Sequence, residues 1–134
     1  MTVELTQNTT SSVRKVATIA AGASDSSAIQ VGPHGFRGLA VLFPAQWTTA
    51  DLAVKVSTTE DGTYTLLETQ DADGNADVVR IKDIATGAAS YRIFPAEVWA
   101  AGAMPYIKLA SIDTADQTAE AQAAARSLTV VFLS

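Results

Sequence analysis

Apolar and polar residues alternate with a period of two along most of the chain, in short runs that end at turn-forming residues. In residues 52–57, for example, Leu52, Val54 and Val56 fall on one side of the run and Lys55 falls on the other. The same alternation recurs at residues 79–82, 106–110 and 128–133. A period of two is typical of β-strands that bury one face, whereas a helical period of 3.6 is nearly absent. The pattern therefore indicates antiparallel sheets with one buried and one solvated face.

Five further segments complete the predicted elements. Residues 36–43 are apolar on both faces and predict a central strand, and weaker strands are predicted at 15–21, 26–31, 63–68 and 90–94. One short helical turn is predicted at 95–101, because Pro95 suits a first helical position and Gly102 can end the turn. The sequence thus predicts an all-β fold, a jelly-roll-like antiparallel sandwich of two sheets with about nine strands.

Two segments contribute little to the predicted core. Residues 1–14 are rich in Thr and Ser and are interpreted as a polar N-terminal arm, which leaves residues 15–134 as a single sandwich domain. Residues 114–126 favour helix by propensity but contain no large apolar side chain that would anchor one. We expect a long loop there, with a short helix as the alternative.

Composition removes several functional classes. The 134 residues carry a formal charge of −5 and contain no cysteine and one histidine. Disulfides, cysteine-based metal sites and electrostatic binding to nucleic acid are therefore not expected. The apolar runs are too short to cross a membrane, and the first residues lack the pattern of a signal peptide, so we expect synthesis in the cytosol.

Candidate chemistry is sparse. Asp71, Asp73, Asn75 and Asp77 are spaced like the first ligands of a calcium loop, but Lys82 stands where the bidentate glutamate is expected. An exposed acidic hairpin loop is the preferred interpretation. The single histidine, His34, lies in a Gly/Pro turn without a nucleophile elbow nearby. The sequence therefore predicts no catalytic, metal or cofactor site, and a protein that is not an enzyme.

The aromatic residues allow two interpretations. Trp47 and Trp99 each lie close to a proline, and we expect both to cap the core of the sandwich. In the alternative, Trp47, Tyr64 and Trp99 form an exposed platform on which sugar rings stack, as in a carbohydrate-binding or adhesion module.

The order of several motifs carries a resemblance to known proteins. These are "TIAAGAS" at 18–24, "PAQWTTADLAVKVS" at 44–57 and "DGTYTLL" at 61–67, followed more loosely by residues 93–111 and 121–132. In this order they resemble a group of small structural proteins encoded by tailed bacteriophages. The resemblance implies a virion protein that decorates or stabilises the head, with a tail or head-tail connector subunit as a further role within the group.

From this resemblance we expect the major capsid protein or other virion proteins as partners, and neither nucleic acid nor membrane. The arm lies outside the matching region, and its docking is our own inference. Apolar residues in it could add a strand to the edge of a capsid protein, which gives a candidate partner-binding set of Thr2, Val3, Glu4, Leu5 and Val13. Since residues 36–43 are apolar on both faces, self-association is also expected, with a trimer favoured over a dimer.

Overall fold

The computed structural model describes residues 13–134 of the chain. That range forms eleven strands and one 3₁₀ helix, in this order: β1 (Val13–Ile19), β2 (Ile29–Gln30), β3 (Gly38–Phe43), β4 (Asp51–Ser57), β5 (Thr65–Leu66), β6 (Glu68–Gln70), β7 (Ala76–Val78), β8 (Arg80–Ile81), β9 (Ser90–Ile93), the 3₁₀ helix (Ala96–Ala103), β10 (Tyr106–Ile112) and β11 (Arg126–Leu133).

The long strands make two antiparallel sheets. Sheet A has the strand order β1-β11-β3-β9. Sheet B has the order β2-β10-β4-β5, and β8 pairs with β4. A separate hairpin is formed by β6 and β7. The predicted all-β sandwich is confirmed, while the jelly-roll connectivity stays a prediction.

One hydrophobic core lies between the sheets. Alternate residues of sheet A such as Leu39, Val41 and Val130 are fully buried, and they share a cluster with Leu52 and Leu109 of sheet B. Each strand thus contributes one apolar row to the interior, as the period of two predicts. The central position predicted for residues 36–43 is also confirmed, because β3 lies between β11 and β9.

Several element boundaries differ from the predictions. β1 begins at Val13, so Val13 and Arg14 belong to the sheet rather than to an arm that ends at residue 14. β2 and β5 are only two residues long, and the strands β6 and β7 on either side of the acidic loop lie almost wholly outside the predicted strand ranges. Residues 113–125 contain no helix, so the expected loop is correct and the alternative helix is wrong.

The predicted helical turn is present as a 3₁₀ helix, and its period explains the position of Trp99. Three residues make a turn of such a helix, so Val98 and Ala101 share a face, and both are fully buried. Trp99 comes directly after Val98 and is therefore rotated away from the core. Its side chain is 59% exposed, which shows that the predicted core-capping role of Trp99 is wrong.

Candidate functional site

The outer face of sheet A, as described for residues 13–134, is largely apolar, and several of its large side chains are exposed to solvent. Two rows of directly paired residues cross it: Val16, Thr129, Leu42 and Tyr91 form one, and Arg14, Val131, Ala40 and Ile93 form the other. Val16 is 65% exposed, Ile93 63%, Tyr91 54% and Leu42 45%. We call the surface made by Val16, Leu42, Tyr91, Ile93 and Val131 the open face.

The strand β9 turns its apolar residues outward because Arg92 is held on the opposite side. The Arg92 guanidinium donates to the carbonyl oxygens of Lys82, at 2.8 Å, and Asp83, at 3.0 Å. Because Arg92 donates to these carbonyl oxygens and side chains alternate between the two faces of a strand, Tyr91 and Ile93 lie on the outer face of sheet A. The open face is therefore fixed by hydrogen bonds of the backbone and of Arg92.

The outer face of sheet B is organised differently. Its apolar residues Ala53, Ala110 and Ile112 pack with Val78 of β7 and Leu66 of β5. One cation on this face is paired with a carboxylate, because Lys55 Nζ lies 2.9 Å from Asp25 Oδ2, and Lys108 Nζ lies over the Tyr64 ring. The outer face of sheet B is therefore partly covered and carries charge, whereas the outer face of sheet A is mostly apolar. Monomeric soluble proteins rarely expose contiguous apolar patches of this kind without a function in binding.

Charge is almost absent from the open face. Among the outward positions of sheet A, Arg14 at one corner is the only ionisable side chain of the Asp, Glu, Lys or Arg types. The whole chain carries −5, so the acidic residues are concentrated elsewhere. A partner that fits the open face would therefore present apolar side chains, with a carboxylate facing Arg14.

One cleft contains Asp51, a carboxylic acid whose shifted pKa is explained by burial and an ion pair. It has a volume of about 390 Å³ and is lined by Asp51, Lys82, Asp83 and four other residues. Burial raises the pKa of Asp51, and the hydrogen bond and charge of Arg80 oppose that rise. Arg80 Nε donates to Asp51 Oδ2 at 3.1 Å, and Arg80 Nη1 donates to Asp77 Oδ1 at 2.8 Å. This arrangement is a structural ion pair, which sequence reasoning missed because its partners are 29 residues apart.

The acidic loop forms the turn of the β6–β7 hairpin. Asp71 Oδ1 accepts hydrogen bonds from the backbone N–H groups of Asp73 and Asn75, both at 2.9 Å. Asp77 is bound to Arg80, and this hydrogen bond is the main cause that lowers the pKa of Asp77. Within residues 13–134, no three His, Cys, Asp or Glu side chains are grouped so that they could hold a metal ion. The exposed acidic hairpin loop preferred from the sequence is what the structure shows.

The three aromatic residues of the sugar-binding alternative do not share an exposed surface. Trp47 is 3% exposed, packs edge-on against Phe43 with ring centroids 5.1 Å apart, and donates from Nε1 to the Ala50 carbonyl oxygen. Trp47 therefore caps the core as predicted. Tyr64 donates to the Glu60 carbonyl oxygen, and Lys108 Nζ lies 4.5 Å from its ring centroid. Only Trp99 of the three presents an open ring, so a three-residue platform is excluded.

This difference between the two tryptophans gives a direct prediction. Acrylamide should quench the fluorescence of Trp99 and leave that of Trp47 largely unaffected, because only the exposed indole meets the quencher. A Stern–Volmer plot of the native protein should accordingly curve downward. The Trp99→Phe variant should lose the accessible component, and equal quenching of both residues would contradict the burial described here.

Of the predicted partner-binding residues, the structure places only one. Val13 is the first residue of β1, pairs with Phe132 and is 48% exposed. Thr2, Val3, Glu4 and Leu5 lie outside the described residues, so their docking on a capsid-protein edge stays a prediction. The open face was missed as a site, although the apolar pattern on both sides of residues 36–43 was a signal for it.

Among residues 13–134 no helix is both long and apolar enough to span a membrane. Comparison of the chain with models of protein families, with curated proteins and with solved structures finds no significant match.

Proposed function

We propose that this chain is a non-enzymatic structural protein of a tailed-bacteriophage particle, and that it decorates and stabilises the outer surface of the head. The proposal combines the order of motifs that resembles phage structural proteins with an exposed apolar sheet face. It implies synthesis in the bacterial cytosol and assembly onto the virion. The partner is then the major capsid protein or another virion protein.

The observation that carries the proposal is the open face. Side chains such as Ile93 and Val16 are about two thirds exposed on the outer surface of sheet A. Burying apolar surface contributes roughly 25 cal/mol for each Å² removed from water, without needing a precisely shaped pocket. An apolar face with almost no charge therefore suits a broad protein surface better than a small-molecule substrate. A shell offers such a surface in many copies, so the stabilisation contributed by each bound chain adds up over the whole shell.

The experiment is a binding assay with assembled shells that lack the protein. Ile93→Lys should weaken binding by about tenfold or more, because the charged group would be buried without a partner. Ile93→Val should bind almost like the native chain, since it keeps the apolar character. Ala115→Lys adds the same charge on an exposed turn away from sheet A and serves as the matched control.

The stability of each variant has to be compared in the same experiment. Ile93 is 63% exposed, so its replacement should change the free energy of unfolding by only about 0.5 kcal/mol. Undiminished binding of Ile93→Lys to shells would exclude the open face as the contact. If the native chain binds tails or connectors but not heads, the head role is replaced by a tail or head-tail connector role.

A second candidate function, carbohydrate binding, is favoured only by the exposed ring of Trp99. A sugar that stacks on this indole would shift its emission and protect it from acrylamide. The Trp99→Phe variant, which keeps Trp47, should abolish that response. Sugars that leave the Trp99 emission unchanged would remove this candidate.

A further inference from the structure

An apolar cleft opens at the end of the sandwich where the described chain begins. It has a volume of about 400 Å³, and its walls include Val13, Lys15, Pro33, His34 and Phe132. Phe132 forms its base and packs against Phe36 with ring centroids 4.9 Å apart. The cleft lies between β1 of sheet A and the loop that follows β2 of sheet B, so both sheets contribute to its walls.

Lys15 is the one Asp, Glu, Lys or Arg side chain among the residues that line the cleft. Lys15 Nζ lies 5.6 Å from the Phe132 ring centroid and donates to the Gln30 carbonyl oxygen at 2.7 Å. His34 is exposed at the rim, and no Asp or Glu side chain is among the lining residues. The cleft therefore fits a short apolar segment that carries one carboxylate.

Residues 1–12 of the chain have this chemistry. Val3 and Leu5 are apolar, and Glu4 between them is the only charged side chain of that segment. The segment joins the described structure at Val13, which is itself a wall of the cleft. Residue 12 is therefore joined covalently to a residue that lines the cleft, and residues 1–12 are the part of the chain outside the described structure at this point.

The occupied cleft belongs to a second copy of the chain. β1 is paired with β11 up to Val13, and a chain that continued the direction of β1 beyond Val13 would run away from the cleft that Val13 and Lys15 line. Residues 6–12 contain neither glycine nor proline, the strongest signals for a chain reversal, and seven residues can span up to about 25 Å. We propose that Val3 and Leu5 of one copy bind in the cleft of another, with Glu4 facing Lys15 or His34. This exchange requires only copies of this chain, and it is an alternative to docking of the arm on the edge of a capsid protein.

Disulfide trapping tests the proposal in the full-length chain, which has no cysteine of its own. The Thr6→Cys/His34→Cys variant is oxidised and analysed without reductant. We expect products at multiples of the 14.0 kDa chain mass. The Thr6→Cys/Ala115→Cys variant is the matched control and should remain mostly at the mass of one chain.

Adding Leu5→Lys to the first variant should return it to the level of the control, because an ammonium group is not accommodated in an apolar cleft beside Lys15. A link confined to single chains would place the segment in the cleft of the same copy and overturn the exchange. Cross-linking no greater than in the control, or unaffected by Leu5→Lys, would overturn the docking itself. All of these outcomes are independent of binding to shells.

Discussion

Replacing Arg80 with methionine should lower the free energy of unfolding at pH 7 by about 3–5 kcal/mol. The Arg80 and Asp51 side chains are only 9% and 4% exposed, so the carboxylate would be left buried without its partner. The replacement would also remove the contact with Asp77 and the hydrogen bond to the Val78 carbonyl oxygen. Urea denaturation followed by circular dichroism measures the loss.

The loss should shrink as the pH is lowered from 7 towards 4. Burial already raises the pKa of Asp51, and removing Arg80 removes the main opposing interaction, so the pKa rises further. An acid whose folded-state pKa lies above its unfolded-state value destabilises the fold at high pH, and this penalty disappears as the group becomes protonated. Arg80 also lowers the pKa of Asp77, so their pairing stabilises the native chain above the ordinary pKa of an aspartate, and this stabilisation is lost as the pH falls through the lowered pKa. The Arg80→Met variant lacks the pairing at every pH, so acidification reduces the difference between the two proteins.

The Asp51→Asn/Arg80→Met double variant is the control for this account. With no charge to bury, it should be more stable at pH 7 than Arg80→Met alone, and its deficit should depend less on pH. A deficit of Arg80→Met that is equal at pH 7 and pH 4 would show that lost packing, rather than the unpaired carboxylate, dominates.

Gln122→Ala should destabilise the protein by about 2–4 kcal/mol, because it leaves several buried groups without partners. Gln122 is fully buried, and its side-chain amide donates to the Thr48 carbonyl oxygen and to Ser111 Oγ. Its Oε1 accepts from the Thr48 backbone N–H and from Arg126 Nε. One side chain thus joins the loop after β3, the strand β10 and the start of β11.

Gln46→Ala is the matched control, since it makes the same change at an exposed position of the neighbouring loop. Surface substitutions of this kind usually alter stability by no more than about 0.5 kcal/mol. If Gln122→Ala were no more destabilising than Gln46→Ala, the amide would not be holding these segments together. Both variants are compared by urea denaturation under identical conditions.

The fold was largely predictable because the period of two records burial directly. Leu128, Val130 and Phe132 were assigned to one face of a strand, and all three are buried. The same reasoning predicted β3 as a central strand from apolar residues on both of its sides. The hairpin loop at residues 71–75 was predicted, but the flanking strands β6 and β7 were not, because each is only three residues long and they are mostly polar.

The orientation of β9 and the anchoring of the segment around Gln122 were less predictable, because long-range hydrogen bonds determine both. In β9, alternation alone would turn Arg92 to solvent and bury Ile93, but two carbonyl groups from residues 82 and 83 hold Arg92 and reverse the strand. Gln122 lies in an alanine-rich segment without a large apolar residue, and its polar contacts anchor that segment instead. Trp99 was assigned to the core from its residue type, whereas the period of the 3₁₀ helix places it outside.

The most direct test of the proposed role is the protein composition of purified phage particles assembled from the genome that encodes this chain. Quantitative mass spectrometry of gradient-purified heads should find the chain in a fixed ratio to the major capsid protein, and a genome that supplies Ile93→Lys instead should yield heads depleted of it. Complete absence of the native chain from both heads and tails would contradict the account.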